Sequence, residues 1–318
     1  MLSSLRLAAT ALVSVLFASS ALGLPLIRRD QLCNGHSELC ERKYGNTTFL
    51  GAHDSFAASG NPFALARTQE VDVSAQLNAG VRALQVQTHK NGADIHVCHT
   101  SKSLIIRFML FDGGKTEDYL HKVKLFLDSH PNEVLTLIIA NPENIPIKEY
   151  IPVFNKTGLT DMAYVPPQPI MSRDDWPTLG SMISSQKRVV IFIDKGAEAR
   201  TEPASQFILP QFQQMWEDKY DPTDSKFPCK VDRTAGPLAP NQQLSLINHN
   251  LNTNILPIGR GVLIPDRLDS PRTNSIQEIQ KHAENCAPYV DDRRPNFVLL
   301  DFVNVGLGLD AVNKLNGF

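Results

Sequence analysis

Two short runs, Val134-Leu135-Thr136-Leu137-Ile138-Ile139 and Val189-Val190-Ile191-Phe192-Ile193, are apolar on both faces. A strand with one face in water alternates apolar and polar residues. A strand without that alternation needs cover on both sides, which parallel sheets flanked by helices provide. Further strand-like runs fall at 47–52, 82–88, 94–99, 244–250, 261–265 and 296–303, of which 261–265 is the least regular. Amphipathic helical stretches lie between several of them. The clearest takes Thr116 as N-cap, carries Tyr119, Leu120, Val123 and Leu127 on one face, and stops before Pro131. Others span 71–78, 205–216 and 275–285. Strands alternating with helices predict an α/β fold, and about eight such units in one domain predict a closed parallel barrel.

In a parallel barrel the chemistry belongs at the C-terminal strand ends. Those ends offer His53-Asp54, Gln85 and Gln87, His99, Asn141, Asp194, Asn248-His249 and Asp301. The stretch Leu50-Gly51-Ala52-His53-Asp54-Ser55 delivers a histidine and an aspartate where an extended run gives way to small residues, and Ile95-His96-Val97-Cys98-His99 brings another histidine to a strand end. Two such histidines suit a reaction that needs one general base and one general acid, since imidazole titrates near neutrality unaided. Taken singly, His53 reads equally well as a loop cap, and Asn248 and His249 as groups that satisfy backbone at a strand end. His89, His96 and His121 read as structural or exposed, and Trp176 and Trp216 as core anchors. The Pro-rich segments 141–187 and 217–243 read as irregular excursions over the catalytic face.

The compartment is written in the first residues. Arg6 precedes an apolar run from Leu7 to Ala18 and a small-residue site at Ala21-Leu22-Gly23, the pattern of a secretory signal peptide over 1–23. Arg28-Arg29 reads as a dibasic processing site, and 24–43 as a processing region and irregular lead-in to one domain over 44–318. Cleavage there removes Arg6, Arg28 and Arg29 and no acidic residue, taking the net charge from -2 to -5. That balance argues against nucleic acid and against a polybasic grip on anionic membrane. Sequons at Asn46 and Asn155 fit a secreted glycoprotein, the second in a proline-rich loop. Of five cysteines, Cys33 with Cys40 and Cys229 with Cys286 are placed to pair, which leaves Cys98 free. Cys98 reads as a small buried residue rather than a nucleophile, because no basic partner is evident.

The segments Gly51-Ala52-His53-Asp54-Ser55, Gln76-Leu77-Asn78-Ala79-Gly80-Val81-Arg82-Ala83-Leu84, His96-Val97-Cys98-His99-Thr100 and Pro131-Asn132-Glu133-Val134-Leu135-Thr136-Leu137 together resemble the X-region of phosphatidylinositol-specific phospholipases C. Gln85-Val86-Gln87-Thr88-His89, Cys98-His99-Thr100-Ser101, Ile247-Asn248-His249-Asn250-Leu251-Asn252 and Asn296-Phe297-Val298-Leu299-Leu300-Asp301-Phe302 resemble its secreted fungal branch of phospholipase C-like phosphodiesterases, from about residue 44 onward. The resemblance implies a single distorted TIM-type (β/α) barrel and a two-histidine mechanism. The inositol 2-hydroxyl attacks the phosphodiester, diacylglycerol departs and a cyclic inositol phosphate remains. His53 matches the base, Asp301 the carboxylate that orients it, His99 the acid, and Asp54 stands beside that acid.

Departures from the family pattern are equally specific. Phosphoryl transfer calls for positive charge on the non-bridging oxygens, and bacterial relatives place an arginine at the end of the second strand, where animal enzymes place acidic calcium ligands. Gln85 and Gln87 stand there, Asp194 replaces a bacterial arginine that contacts inositol, and Ala140 falls near an animal calcium ligand. Lys102 stands where the fungal branch is expected to carry a second cysteine. The expectation is a secreted phosphoric diester hydrolase or lyase acting on a phospholipid or glycolipid head group, with Gln85, Gln87, Asp194, Asn248 and His249 toward the substrate. No cofactor or metal is expected, the protein is expected to be monomeric, and its membrane contact transient. Two alternatives stay open: a barrel that has lost catalysis and binds a partner, and a metal-dependent phosphodiesterase built on Asp54, Asp194 and Asp301.

Overall fold

The computed structural model describes residues 31–99, 111–198, 205–255 and 262–318. The expected leader, the Arg28-Arg29 pair, Thr100, Ser101 and Lys102 lie outside the described residues. In chain order the elements are β1 (Phe49–Ala52), α1 (Val73–Asn78), β2 (Ala83–Asn91), β3 (Asp94–His99), β4 (Phe111–Lys115), α2 (Thr116–Ser129), β5 (Leu135–Ala140), α3 (Ile147–Thr157), α4 (Leu179–Ser184), β6 (Val189–Ile193), β7 (Ile208–Pro210), α5 (Gln211–Gln214), β8 (Met215–Glu217), β9 (Leu244–Asn248), β10 (Asn252–Asn254), β11 (Leu263–Pro265), α6 (Ser270–Thr273), α7 (Ile276–Cys286), β12 (Phe297–Leu300) and α8 (Gly308–Asn316).

Eight strands pair in the order β7-β6-β5-β2-β1-β12-β9-β8, every neighbour parallel. The path curls into a mixed α/β barrel whose end strands, β7 and β8, are not paired with each other among the described residues. Alternation along each strand divides the core. Phe49, Ala83, Ile138, Phe192, Leu246, Phe297 and Leu299 fill one cluster, and Leu50, Leu84, Leu137, Ile191, Val298 and Leu300 belong to the other, with helix residues such as Val123, Leu127 and Ile279. Burying each large apolar side chain stabilises the fold by about 1.5–3 kcal/mol. That explains why β5 and β6 carry no polar face: they need cover on both sides. Gly51 on β1 meets a spatial limit, since a Cβ there would stand 2.5 Å from the Leu299 side chain.

The strand composition of the barrel differs from expectation in three places. The run 94–99 forms β3, which pairs antiparallel with β2 and β4 as a hairpin beside the barrel. The run at 261–265 yields β11, which pairs antiparallel with β10 in a separate two-stranded sheet. The stretch 205–216, read as one helix, breaks into β7, the four-residue α5 and β8. Pro210 interrupts it, and burial of Ile208, Leu209, Met215 and Trp216 in the closing strands outweighs its helical periodicity.

Segment 141–187 also departs from the irregular reading. It contains α3, where fully buried Tyr150 and Phe154 outweigh the hydrogen bond lost at Pro152, and α4. The Asn155 sequon therefore sits in the last turn of a helix, which ends at Gly158 with φ +73°. Between the helices the chain crosses the N-terminal end of the barrel rather than its catalytic face. Trp176 packs there on Tyr44, whose hydroxyl meets Thr136 Oγ1 at 2.7 Å, and buried Arg173 donates to the carbonyls of Gly45 and Arg294. At α2 the N-cap is Lys115, not Thr116, because β4 runs directly into the helix. Disulfides join Cys33 to Cys40 and Cys229 to Cys286, and Cys98 is a half-buried free thiol pushed by burial, with nearby Asp112, up to about 11.

Candidate active site

His53 is the first residue past β1, and its N–H donates to the Leu300 carbonyl at 3.0 Å, continuing the β1–β12 ladder. Counting by twos from Phe49 and Gly51 turns its side chain into the barrel mouth. Asp301, first past β12, stands level with it. His53 Nδ1–H donates to Asp301 Oδ1 at 2.8 Å, so the proton sits on Nδ1 and Nε2 faces the open mouth. The Gln69 amide anchors this corner by donating to the carbonyls of His53 (2.9 Å) and Leu300 (3.0 Å).

Asp54 has the positive φ of +37°, an unusual backbone for a residue with a side chain. Three contacts hold it. Gln85 Oε1 accepts from the Asp54 N–H at 2.7 Å, Thr68 Oγ1 donates to its carbonyl at 2.9 Å, and Ala57 N–H donates to the same carbonyl at 2.7 Å. The turn aims the carboxylate between the two histidines: Asp54 Oδ2 lies 3.9 Å from His53 Nε2 and 3.7 Å from His99 Nε2. His99, at the tip of β3, reaches the mouth from the hairpin that flanks it. Asp54 Oδ1 and Asp301 Oδ2 are buried and lack hydrogen-bond partners, so the mouth holds unspent acceptors.

The electrostatics of the corner favour a proton on His53. Burial by itself lowers the imidazole, but the carboxylates of Asp301 and Asp54 outweigh it and lift the group to about 9. Burial raises the Asp301 carboxyl, and His53 opposes that rise. The lift on His53 and its opposition to the rise at Asp301 both favour keeping the shared proton on His53, which becomes a base on releasing it.

Of the residues expected to face substrate, Gln85 and Gln87 lie half-buried on the same face of β2 as inward-facing Ala83. Gln85 spends its oxygen on Asp54, and no described residue accepts from its Nε2. Asp194, just past β6, accepts the Asn141 N–H at 2.7 Å, and burial raises its carboxyl. Asn248 is committed to structure: its N–H donates to Asp218 Oδ1 at 2.7 Å and its Nδ2 to the Asp218 carbonyl at 3.0 Å. His249 is turned away from the mouth. One residue past inward-facing Asn248, it points outward, fully buried against α6 and α7, with Nε2–H donating to the Thr273 carbonyl at 2.8 Å.

Several residues at the mouth went unread in the sequence. The Asn250 amide lies 3.2 Å from His53 Nδ1; the run read as strand over 244–250 ends at Asn248, and Asn250 stands in the turn beyond it. Glu217 ends β8 and is pushed up by burial, against the pull of Arg233, to about 7. Reading 205–216 as a helix hid it. Arg233 pairs with Glu217 and lies over the rings of Phe212 and Tyr220, 5.1 and 4.6 Å from their centroids. No lysine or arginine among the described residues forms a hydrogen bond or ion pair with His53, Asp54, His99 or Asp301.

The donor set does not fit a calcium ion of the animal kind: Gln85 and Gln87 lie along β2, Gln87 level with Ala140 at the end of β5, two neutral amides and a methyl group where hard anionic oxygens are needed. Nor do Asp54, Asp194 and Asp301 gather closely enough to share a metal. Among the described residues the one triplet of suitable spacing is Asp218, His282 and Cys286, and the Cys286 sulfur is consumed by its disulfide.

The family model described as PI-PLC X 1 matches residues 39–316. A protein of Arthroderma benhamiae named PI-PLC X domain-containing protein 1 is 39% identical over 298 residues, covering 91% of this chain and 90% of the relative. An uncharacterized secreted protein of the same organism is 37% identical over 280 residues, covering 86% of this chain and 60% of its own length. Among solved structures, a variant of the phosphatidylinositol-specific phospholipase C of Staphylococcus aureus superposes with a TM-score of 0.57 at 12% identity, covering 86% of this chain and 94% of that one. At that identity the likeness speaks to the fold.

Proposed function

The chain belongs to the PI-PLC X domain family, and on that premise we propose that it is a secreted phosphoric diester hydrolase or lyase that cleaves the head-group phosphodiester of a phospholipid or glycolipid. The observation that carries the reading is the convergence of His53 and His99 on one carboxylate, Asp54, while Asp301 holds the far side of the His53 ring.

In this mechanism His53 Nε2 takes the proton of the attacking hydroxyl and passes positive charge toward Asp301. His99 donates a proton to the departing glyceryl oxygen from across the mouth. Base and acid on different sides of the phosphorus suit an in-line displacement. Asp54, between them, favours the protonated form of whichever ring carries the proton at each stage. With no arginine on the histidines among the described residues, the non-bridging oxygens meet the imidazolium charge and the Nε2–H donors of Gln85, which no described residue accepts. Neutral donors stabilise developing charge less than a guanidinium does, which favours a modest turnover.

A lipid substrate fits the loops that follow the strands. Phe63 (86% exposed), Leu65, Tyr220, Ile255 and Leu268 (93% exposed) project from segments after β1, β8 and β9. Arg267 joins two of these segments by donating to Glu70 at 2.6 Å. Secretion accords with the two disulfides and with the relative named as a secreted protein.

Phosphorus NMR of the products from phosphatidylinositol vesicles tests the reaction: a cyclic phosphodiester or an open phosphomonoester of the head group is expected together with diacylglycerol. A second reading, a barrel that binds lipid head groups without cleaving them, draws on the lack of a cation at the histidines among the described residues. It would be established by vesicle binding with no head-group phosphate, cyclic or open, released from any phosphodiester offered.

A further inference from the structure

Outside the mouth, the described residues bury a chain of ionisable side chains with no part in the reaction. His249 Nδ1 lies 2.9 Å from His282 Nδ1, and His282 Nε2 lies 2.8 Å from Asp218 Oδ2. All three residues are at most 4% exposed, and the Phe227 ring covers both imidazoles at 4.1 and 4.9 Å.

The direction of each bond fixes where the protons are. The Thr273 carbonyl only accepts, so His249 carries a proton on Nε2. Burial, with His282 beside it, pushes His249 down to about 3, so its Nδ1 is bare and accepts from His282 Nδ1–H. The Asp218 carboxylate accepts at the other end, so His282 carries a proton on Nε2 as well. The bond pattern therefore calls on His282 to donate from both ring nitrogens, clamped between Asp218 and His249.

Each end of the clamp leads to a different partner of His53. Asp218 Oδ1 takes the N–H of Asn248, two residues before Asn250, whose amide touches His53 Nδ1. At the other end His249 holds the Thr273 carbonyl, and the next residue, Asn274, donates from Nδ2 to the carbonyls of Asp301 (2.9 Å), Phe302 (3.3 Å) and Val305 (3.1 Å). The Cys229–Cys286 disulfide spans the same seam, one helical turn along α7 from His282.

We propose that His282 is a positioning residue, which through Asp218–Asn248 on one side and His249–Thr273 on the other fixes Asn250 and Asp301 against His53. This inference rests on His53 being the base. A ring with a donor on each side is required, because both neighbours accept; a glutamine carries both N–H groups on one nitrogen and does not span the two acceptors as the ring does. His282→Gln is expected to lower kcat about 10- to 100-fold, the usual scale for a residue that orients a reacting group from behind, with KM little changed. The same substitution in an Asn250→Ala background is expected to cost much less, since both act on one ring. Full activity in His282→Gln, or losses that multiply, would overturn the role. Asp218→Asn, which replaces one of the two acceptor oxygens by a donor, is read the same way if His282→Gln does not fold.

Nitrogen-resolved NMR of the wild-type imidazoles at pH 7 tests the arrangement without reference to activity. His282 is expected to show protons on both ring nitrogens, and the His53 Nδ1 proton is expected to move in His282→Gln but not in the exposed control His121→Gln. One protonated nitrogen on His282, or a His53 signal indifferent to its loss, contradicts the proposal. Absence of turnover with both NMR results as expected would count against the hydrolase reading and leave the buttress standing.

Discussion

At the scale of single residues, the account turns on a histidine whose proton is held too firmly for an unaided base. Because the His53 ring is lifted to about 9, kcat/KM is expected to rise with pH through that region rather than near 6.5. Replacing Asp301 by Asn removes the first of the two charges that lift it while burial remains. The rising limb should then move at least one pH unit lower and kcat should fall about 10²–10⁴-fold, the range of general acid–base contributions; a pH–rate series on both proteins checks it. The same shift has a stability consequence. A folded value above the unfolded 6.5 means that the proton on His53 stabilises the fold fully below about pH 6.5, and that this contribution is lost as pH passes about 9. Thermal melts of wild type and Asp301→Asn across that window should converge at the alkaline end. Of the residues involved, His53, Asp54, His99 and Asp301 were legible because each follows or ends a run of strand-forming residues. Asn250 was not, because the run read as strand over 244–250 ends at Asn248, and the turn that follows carries Asn250 to a histidine 197 positions away. His249 was misplaced by a single step of alternation beyond Asn248.

At the scale of elements, β2 does two things at once: it builds the barrel wall and, through Gln85, holds the strained turn at Asp54. Gln85→Ala should destabilise the protein by about 0.5–1.5 kcal/mol, the net worth of a typical hydrogen bond, and reduce kcat further by loosening Asp54 between the histidines. Denaturant melts and steady-state rates separate the two effects. The apolar loop tips make a separate prediction. Phe63→Ala with Leu268→Ala should weaken binding to phospholipid vesicles about 10-fold or more, given the transfer energy of such side chains, and leave turnover of a short-chain soluble substrate unchanged. Equal loss on both substrates would place these residues in the fold instead. Apolar runs without alternation marked β5 and β6 unambiguously. The three-residue strands β7 and β8 escaped, since sequences so short carry no period of their own and follow from closure of the sheet.

At the scale of the whole molecule, the parallel order β7-β6-β5-β2-β1-β12-β9-β8 brings residues from both ends of the chain, His53 and Asp301, to adjacent strands. The buried seam between segment 217–243 and α7 is stapled by Cys229–Cys286, across 57 residues of chain. Its removal as a double Cys→Ala variant should cost about 2–5 kcal/mol of stability by melting, and more than removal of Cys33–Cys40, which closes only 7. The curled path of parallel strands supports the paired histidines as one device, and the most direct test of that device is the rate of head-group phosphate release, cyclic or open, from phosphatidylinositol vesicles by wild type, His53→Ala and His99→Ala. Measurable release by wild type, falling about 10²-fold or more in each variant while both remain folded, is the predicted result. Folded variants that cleave as fast as wild type would contradict it.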